Sequence, residues 1–289
     1  MPSSARELLD LLDLETIDLN LFRGTQPDTM LQRVFGGQVA GQALVAGART
    51  VEAERVVHSL HSYFLRPGDT AVPIVYDVER IRDGRSFSTR RIVARQHGRA
   101  IYYMTASFQV PEEGLEHQDV MPDVPAPADA VDLGELVSRR SPEYGEAWKR
   151  EWAALAVRYV GDSRPGGSIP ADEHPSRSRL WIRVNGEIGD DPLLHQAAFT
   201  YASDMTLLGS TLVPHNLLVT SPGMQSASLD HTIWFHRPFR ADEWLLYDQV
   251  SPTAVGGRGL AFGRLFTEDG VLVASVAQEG LIRYRPEAP

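Results

Sequence analysis

One carboxylate stands out among the residues of this chain that are able to do acid–base chemistry. Residues 192–208 have the apolar spacing of a helix, and Ala197, Tyr201 and Leu208 fall on one stripe of it. Asp204 lies on the same stripe, where a carboxylate costs free energy unless it is hydrogen-bonded or functional. Burial and its partners could tune such a group as a general base. Two interpretations stay open: Asp204 is a catalytic base, or it ends the helix and binds backbone amides.

A buried amide is the second candidate. Alternation along the strand predicted for Leu272–Ile282 places Gln278 on the same face as Val276, and that face is otherwise apolar. A buried amide must find hydrogen-bond partners. Bonds to nearby backbone would satisfy the pattern, and so would a place in a reaction site. Ser228, which opens the strand leading to Trp234, gives no signal by itself.

Familiar signatures of other enzyme classes are missing from the sequence. The chain has no G-x-S-x-G elbow, no H-E-x-x-H motif and no cysteine, so it has neither a thiol nucleophile nor disulfides. On a regular strand, the three-residue spacing of His58 and His61 predicts opposite faces, as does the five-residue spacing of His231 and His236. Neither of the two glycine-rich nucleotide motifs is present. We therefore expect no metal site and no cofactor.

The elements that must position these side chains occur twice along the chain. HSYFLRP at 61–67 resembles TIWFHRP at 232–238, 171 positions later, and IVYD at 74–77 matches LLYD at 245–248 at the same offset. Short β-branched or aromatic segments bounded by Gly, Pro or Asp indicate antiparallel strands. We therefore predict an α+β unit that occurs twice, each copy a helix followed by a strand meander. One further strand is predicted before each helix, at Ile17–Gly24 and Leu180–Glu187.

The first helix of this pair, predicted for residues 37–51, is rich in small residues. It begins within VFGGQVAGQAL at 34–44, and it contains Gly41 and Gly47, where Gly costs about 1 kcal/mol relative to Ala. Paired glycines at a helix start can bind phosphate. No Val/Ile-rich strand of the dinucleotide-binding type precedes them, however. The sequence favours a buried helix packed tightly inside a curved sheet.

Proline marks the segment between the two copies. Residues 111–178 hold eight prolines, with acidic residues between the early ones. A helix is predicted for Pro142–Val160, with its proline in the first turn, and extended surface chain for the rest. The predicted organisation is an N-terminal domain at 1–110, a connector at 111–178, and a C-terminal domain at 179–289 that carries the candidate residues.

Charge and hydropathy exclude several classes of partner. A net charge of −10 over 289 residues is the opposite of the basic footprint of a nucleic-acid binder. No apolar run approaches the ~20 residues of a membrane span, and the N-terminus lacks the apolar region of a signal peptide. We expect a cytoplasmic protein that binds no nucleic acid and does not span a membrane.

Six longer segments of the chain match the motifs of a known family. They are VFGGQVAGQAL (34–44), HSLHSYFLRPGD (58–69), RDGRSFSTRR (82–91), LDHTIWFHRPFRADEWLLYD (229–248), GRGLAFGRLF (257–266) and ASVAQEGLIR (274–283). In these segments the chain closely resembles the acyl-CoA thioesterase II family. The resemblance runs from residue 14 to the last strand, and residues 111–178 are its least similar part.

The resemblance implies a double hot-dog fold, in which two helices are each wrapped by a curved antiparallel sheet and the sheets join edge to edge. It also implies hydrolysis of fatty acyl-CoA to free acid and CoA. The family's catalytic Asp, its Thr or Ser before a D-H motif, and its Gln in V-x-Q-E-G fall on Asp204, Ser228 and Gln278. Many members have Thr where this chain has Ser228.

The implied chemistry needs neither a metal nor a covalent nucleophile. Asp204 would deprotonate a water held by Ser228 and Gln278, and a backbone N–H near a helix start would bind the oxyanion. In the first copy, Arg33 lies opposite Asp204 at the 171-residue offset, and Val57 lies opposite Ser228. This predicts one active site per chain.

Two alternatives remain open, and both concern acyl-CoA as the ligand. A hydratase-type hot dog would need an Asp–His pair, for which His195 and His215 are poorly spaced from Asp204. A non-catalytic acyl-CoA binding or sensing protein would gain nothing from polar groups on apolar faces. Hot-dog sheets commonly associate, so we expect a homodimer or homotetramer. Candidates for binding the CoA phosphates, each explained more simply as surface charge, are Arg85, Arg90, Arg91 and Arg258.

Overall fold

Two copies of a helix and a set of strands make up the fold, and this computed structural model describes residues 1–286. The first copy contains α1 (Ala5–Leu12), β1 (Glu15–Asp18), β2 (Leu21–Gly24), α2 (Gly36–Ala48), β3 (Val56–Phe64), β4 (Ile74–Asp83), β5 (Phe87–Gln96) and β6 (Arg99–Gln109). Then follow β7 (Val131–Asp132), α3 (Leu133–Arg140), α4 (Pro142–Glu151), β8 (Leu155–Asp162) and β9 (Arg177–Val184). The chain continues with α5 (Pro192–Ser203), β10 (Met224–Ser228), β11 (Asp230–Phe235), β12 (Leu245–Val255), β13 (Arg258–Thr267) and β14 (Leu272–Tyr284). Short 3₁₀ helices lie at Pro127–Asp129 and Leu207–His215.

All these strands join one 14-stranded sheet in which neighbours are antiparallel. Its order is β1-β2-β4-β5-β6-β3-β11-β14-β13-β12-β9-β8-β7, and β10 pairs with the far end of β14. The two copies meet where β3 pairs with β11, with Leu60 opposite Ile233. This junction is the edge-to-edge joining that the resemblance predicted.

The central helices α2 and α5 lie inside the curved sheet and contact each other in antiparallel directions. A Cβ atom on Gly37 would lie 2.1 Å from the carbonyl oxygen of Tyr201, and one on Gly41 would lie 3.1 Å from that of Ala197. The tight packing predicted for VFGGQVAGQAL is therefore confirmed. Within residues 1–286, no helix is both long and apolar enough to cross a membrane.

One hydrophobic core serves both copies, because the buried faces of α2 and α5 pack against the inner face of the whole sheet. Leu44 of α2, Leu60 of β3, Ala198 of α5 and Ile233 of β11 belong to the same cluster, and all four are 0% exposed. Burying each of the leucine and isoleucine side chains contributes about 1.5–3 kcal/mol. Each copy is thus stabilised by the other.

Several predicted element boundaries are wrong. The helix predicted to reach Val160 begins at Pro142, where Ser141 caps it, but it ends at Glu151. Residues 155–162 form β8 instead, because Leu155 and Val157 are buried there and pair with β9. The strand predicted for 17–24 is a hairpin of β1 and β2, which turns at Asn20 with a φ of 61°.

The connector holds more structure than extended chain. Although β7 and β8 lie within residues 111–178, they extend the sheet of the second copy beyond β9. Residues 111–126 have no helix or strand, as predicted, and they lie over a small apolar cluster. There the indole of Trp181 donates to the carbonyl oxygen of Pro125 at 2.9 Å. The three-part domain division itself stays a prediction.

Candidate active site

Asp204, Ser228 and Gln278 come together in the second copy and bond to one another. The Ser228 hydroxyl donates to Asp204 Oδ1 at 2.9 Å, and Gln278 Nε2 donates to the same oxygen at 2.5 Å. Gln278 Nε2 also lies 3.0 Å from Ser228 Oγ, to which it donates. The three side chains form a closed triangle with the carboxylate at one corner.

The fold sets this geometry through one helix end and one strand register. Asp204 is the C-cap of α5, with φ −78° and ψ −10°, so it lies just past the helix and not on its interior stripe. Ser228 ends β10 opposite Gly280 of β14, and Gln278 lies two residues away on the same face. Because successive side chains alternate across a strand, Gln278 points inward toward the helix end.

The first copy also contributes to the site, through the N-terminus of α2. The backbone N–H of Gly37 donates a hydrogen bond to the Asp204 carboxylate. A Cβ on Gly36 would lie 2.5 Å from Asp204 Oδ2 and 2.7 Å from the ring of Phe64. A helix N-terminus carries partial positive charge, which favours an anion. This role of the α2 start toward Asp204 was not predicted from the sequence, and the paired glycines were the signal for it.

Burial raises the pKa of Asp204 to about 6, from the ordinary 3.8. Hydrogen bonds from Ser228, Gln278 and Gly37 act in the opposite direction, since they favour the ionised form. The residue as a whole keeps some exposed surface, but its carboxylate lies inside the protein. At neutral pH the group is therefore mostly ionised, and it is a stronger base than an ordinary Asp.

One acceptor in the triangle remains open. Gln278 is 0% exposed, and its Oε1 has no hydrogen-bond partner within residues 1–286. Buried polar atoms almost always bind something. This oxygen is therefore available to a hydrogen-bond donor that enters the site.

Aromatic and apolar side chains surround the polar triangle. Phe35 packs edge-on against Tyr201 with ring centroids 5.2 Å apart, and Phe64 lies 5.1 Å from Tyr102. Further along β14, Leu208 covers Gly280. A cavity of about 580 Å³ lies at this end of β14, and its lining includes Leu212, Met224, Arg258, Ile282 and Tyr284.

The counterpart of Asp204 in the first copy is Ala43, so the expected pairing with Arg33 is wrong. Tyr76 and Tyr247 are matching residues, and their hydroxyls donate to Gln42 Oε1 at 2.7 Å and to the Ser203 carbonyl at 3.3 Å. Taking the two acceptor residues, Gln42 and Ser203, as counterparts makes the helix offset ten residues shorter than the strand offset. Arg33 instead donates to the carbonyl oxygen of Ser226 at 2.9 Å.

Of the four arginines considered for CoA, Arg90 is unavailable. It is 1% exposed, and its guanidinium bonds Thr50 and Asp83 at 2.8 and 2.6 Å. Arg91 pairs with Glu79, and Arg258 pairs with Glu279 at 2.9 Å. Arg85 is exposed.

The histidines do not pair with Asp204. His195 Nε2 contacts the carbonyl oxygen of Gly189 at 2.9 Å, and its Nδ1 accepts from the amide of Ala241 at 3.0 Å. His58 and His61 both lie on the outer face of the sheet, against the expectation, because a bulge between Val57 and Ser59 shifts the alternation. No Asp–His pair of the hydratase type forms in the described site.

Comparisons with known proteins agree with this architecture. A family model described as acyl-CoA thioesterase matches residues 167–281, and one described as acyl-CoA thioesterase N-terminal domain matches residues 25–109. Acyl-CoA thioesterase 2 of Haemophilus influenzae is 41% identical over 98% of this chain and 99% of its own length.

Solved structures are similar over nearly the whole chain. A crystal structure of the acyl-CoA thioesterase II TesB2 from Mycobacterium marinum is 46% identical with a TM-score of 0.83, covering 97% of this chain and 100% of that one. A protein with a hot-dog fold from Alicyclobacillus acidocaldarius, 22% identical, has a TM-score of 0.76 and covers 96% of this chain and 98% of that one. The chain therefore belongs to the acyl-CoA thioesterase family, has the double hot-dog fold, and is a thioester hydrolase.

Proposed function

We propose that the chain hydrolyses fatty acyl-CoA by attack of a water molecule that Asp204 deprotonates. The observation that carries this proposal is the desolvated carboxylate of Asp204, which is held by Ser228 and Gln278 and whose pKa is raised to about 6. A base with a pKa near neutrality is both ionised and able to accept a proton at working pH. The names of the relatives support acyl-CoA as the substrate.

Each side chain has a separate part in the proposed reaction. Oδ1 of Asp204 already accepts from Ser228 and Gln278, so Oδ2 takes the proton from water. The open Oε1 of Gln278 accepts the second hydrogen of that water. The water oxygen then bonds to the thioester carbon, the C–S bond breaks, and Asp204 returns its proton to the CoA thiolate.

The oxyanion and the acyl group are assigned by proximity. The first turn of α2 is the helix start beside Asp204, and its N-cap Phe35 makes no side-chain capping bond. Amides of this turn are placed to stabilise the developing negative charge. The aromatic walls and the cavity at the far end of β14 provide the apolar surroundings that an acyl chain requires.

We further propose that the protein is a cytoplasmic homo-oligomer. Tyr63 of β3, Trp234 of β11 and Phe262 of β13 project from the outer face of the central part of the sheet and are 50%, 38% and 43% exposed. Contiguous exposed apolar surface often marks an interface between proteins. Sedimentation of the purified protein tests the oligomeric state, since a monomer at all concentrations contradicts a homo-oligomer.

The proposed reaction is tested by release of free thiol from a series of straight-chain acyl-CoAs. We expect turnover by the wild type, and a fall in kcat of about 10²–10⁴-fold for the isosteric Asp204→Asn. Intact mass during turnover distinguishes water from a side chain as nucleophile, because attack by Ser228 or by the Asp204 carboxylate would leave an acylated protein and attack by water would not. Wild-type kcat in Asp204→Asn, or an acylated protein, contradicts the proposal.

A further inference from the structure

A buried histidine beside the active site has no part in the reaction described above. His231 is 0% exposed, and its Nε2 lies 2.8 Å from the hydroxyl oxygen of Ser203. Ser203 directly precedes Asp204, and His231 follows Ser228 by three positions. In addition to the Ser228–Asp204 bond, this hydrogen bond connects the two chain segments that carry the base and the serine.

The hydroxyl of Ser203 fixes which nitrogen of His231 carries the proton. Ser203 Oγ lies 3.0 Å from the carbonyl oxygen of Thr200, which accepts and cannot donate. The single hydroxyl hydrogen of Ser203 is used there, so His231 Nε2 must donate to Ser203 Oγ. Its Nδ1 is then the bare nitrogen, and this atom indeed has no partner in the part of the chain that the structure describes.

His231 stays neutral in this environment. Burial lowers its pKa to about 3, because no carboxylate faces the ring to stabilise a second proton. Its ring is therefore a fixed hydrogen-bond donor across the pH range in which Asp204 titrates. This property suits a structural tie better than a proton relay.

The hydrogen bond between His231 and Ser203 acts on the C-terminal turn of α5. The last carbonyl groups of a helix have no partners within the helix. Here the Thr200 carbonyl accepts from Ser203 Oγ, and the Ser203 carbonyl accepts from Tyr247 Oη at 3.3 Å. On the other side, Ser62 of the first copy donates to the His231 carbonyl at 2.6 Å. His231 thus connects the helix end to the seam between the two sheets.

We propose that His231 is a positioning residue, which holds the C-terminal turn of α5 so that the Asp204 carboxylate meets Ser228 and Gln278. This inference rests on the proposed function of Asp204. A displacement of about 1 Å at a reacting group costs on the order of 10²-fold in rate. Loss of the His231–Ser203 hydrogen bond should therefore lower kcat and leave substrate binding unchanged.

The test compares three variants that differ in the donor. We expect His231→Leu, which fills the space without a donor, to lower kcat by about 10–100-fold with KM within about twofold of wild type. We expect His231→Gln, whose amide nitrogen can replace Nε2, to keep kcat within about threefold. The matched control is His236→Leu on the outer face, which should behave as wild type. A KM increase at constant kcat, or equal losses for Leu and Gln, overturns the proposal.

Ser203→Ala tests the same bond from the other side and serves if His231→Leu does not fold. Its kcat should fall by the factor measured for His231→Leu, and the double variant should lose no more, because the two changes remove one interaction. Losses that multiply overturn the proposal. Asp204→Asn in the same series separates the two ideas. If it retains wild-type kcat, the proposed function fails; if it is inactive while His231→Leu and Ser203→Ala are fully active, only the role of His231 fails.

Discussion

At three matching positions, the second copy of the fold has polar side chains and the first copy has apolar ones. Gln278 pairs with Ala261 across β13 and β14, as Ala106 pairs with Arg90 across β5 and β6. Alignment through the sheet and the helices gives three counterpart pairs. They are Asp204 with Ala43, Ser228 with Val57, and Gln278 with Ala106. The first-copy members are 0%, 2% and 0% exposed.

The difference concerns how the buried polar groups beside these positions are satisfied. In the first copy, the buried Arg90 donates to Asp83, to Thr50 and to backbone carbonyls, so its charge is fully partnered. In the second copy, Asp204 keeps a raised pKa, and the amide oxygen of Gln278 is unpartnered within residues 1–286. At these matching positions, only the second copy thus combines a buried carboxylate with an unpartnered amide oxygen within residues 1–286. The first copy supplies packing and the Gly36–Gly37 helix start.

Converting the second copy to the pattern of the first should have the largest effect. We expect Asp204→Ala, Ser228→Val and Gln278→Ala together to lower kcat/KM by about 10²–10⁴-fold. Thiol release measures this, and near-ultraviolet circular dichroism checks that the fold is kept.

The single variant Asp204→Ala is the matched comparison. Residues that act as one unit have non-additive effects, so it should lose about as much activity as the triple variant. A triple variant whose loss equals the product of three single losses would show that the residues act independently.

The reverse change, Ala43→Asp, should destabilise the protein without creating a second site. Ala43 is 0% exposed, and the first-copy counterparts of Ser228 and Gln278 are the apolar residues Val57 and Ala106. The new carboxylate therefore has no matching partners. An uncompensated buried charge costs about 3–5 kcal/mol, and we expect this decrease in unfolding free energy at pH 8. At pH 4 the loss should be smaller, because the neutral acid is cheaper to bury.

Ala43→Asn separates size from charge in the same denaturant experiment. The decrease in unfolding free energy caused by Ala43→Asn should be nearly independent of pH. Combined with Asp204→Asn, Ala43→Asp should restore no turnover. Recovery of thioesterase activity would mean that a carboxylate at position 43 is all that the first copy lacks for catalysis.

Sequence patterns located part of this site, and physical context decides what they missed. Helical periodicity indicated Asp204, although the helix ends at Ser203 and Asp204 is its C-cap. Strand alternation indicated Gln278. Ser228 was found only through the family resemblance, since a serine at a strand end has no period to violate. The Ala43 counterpart was missed because the helices and strands are aligned at different offsets. The strand at 155–162 was missed because its burial depends on pairing with β9.

Gly36→Ala should show that the first copy is part of the catalytic site. The added methyl group would meet Asp204 Oδ2 at 2.5 Å and the Phe64 ring at 2.7 Å. Displacement of the carboxylate should lower kcat by on the order of 10²-fold. Gly47→Ala is the control in the same helix, since its methyl group would meet the movable end of Ile92 at 3.0 Å and the ring of Phe108 at 3.7 Å, away from Asp204. It should change stability but leave kcat within about twofold.

The smallest expected effect is the pH dependence of the unfolding free energy that Asp204 gives to the second copy. The pKa of Asp204 is about 6 when folded and 3.8 as an ordinary Asp, so the folded protein binds more protons between these values. The stability from this group is therefore complete below pH 3.8 and is lost as pH rises through 6. Tyr102 and Tyr247 face the carboxylate, but burial raises the pKa of both phenols further above neutrality. With about 1.4 kcal/mol for each unit of pKa, Asp204→Asn should be more stable than wild type by about 2–3 kcal/mol at pH 8 and equal to it near pH 4. Over the same range, kcat/KM of the wild type should fall about tenfold per unit below pH 6, because only ionised Asp204 accepts a proton. A difference between the two proteins that is constant with pH would place the titrating group elsewhere.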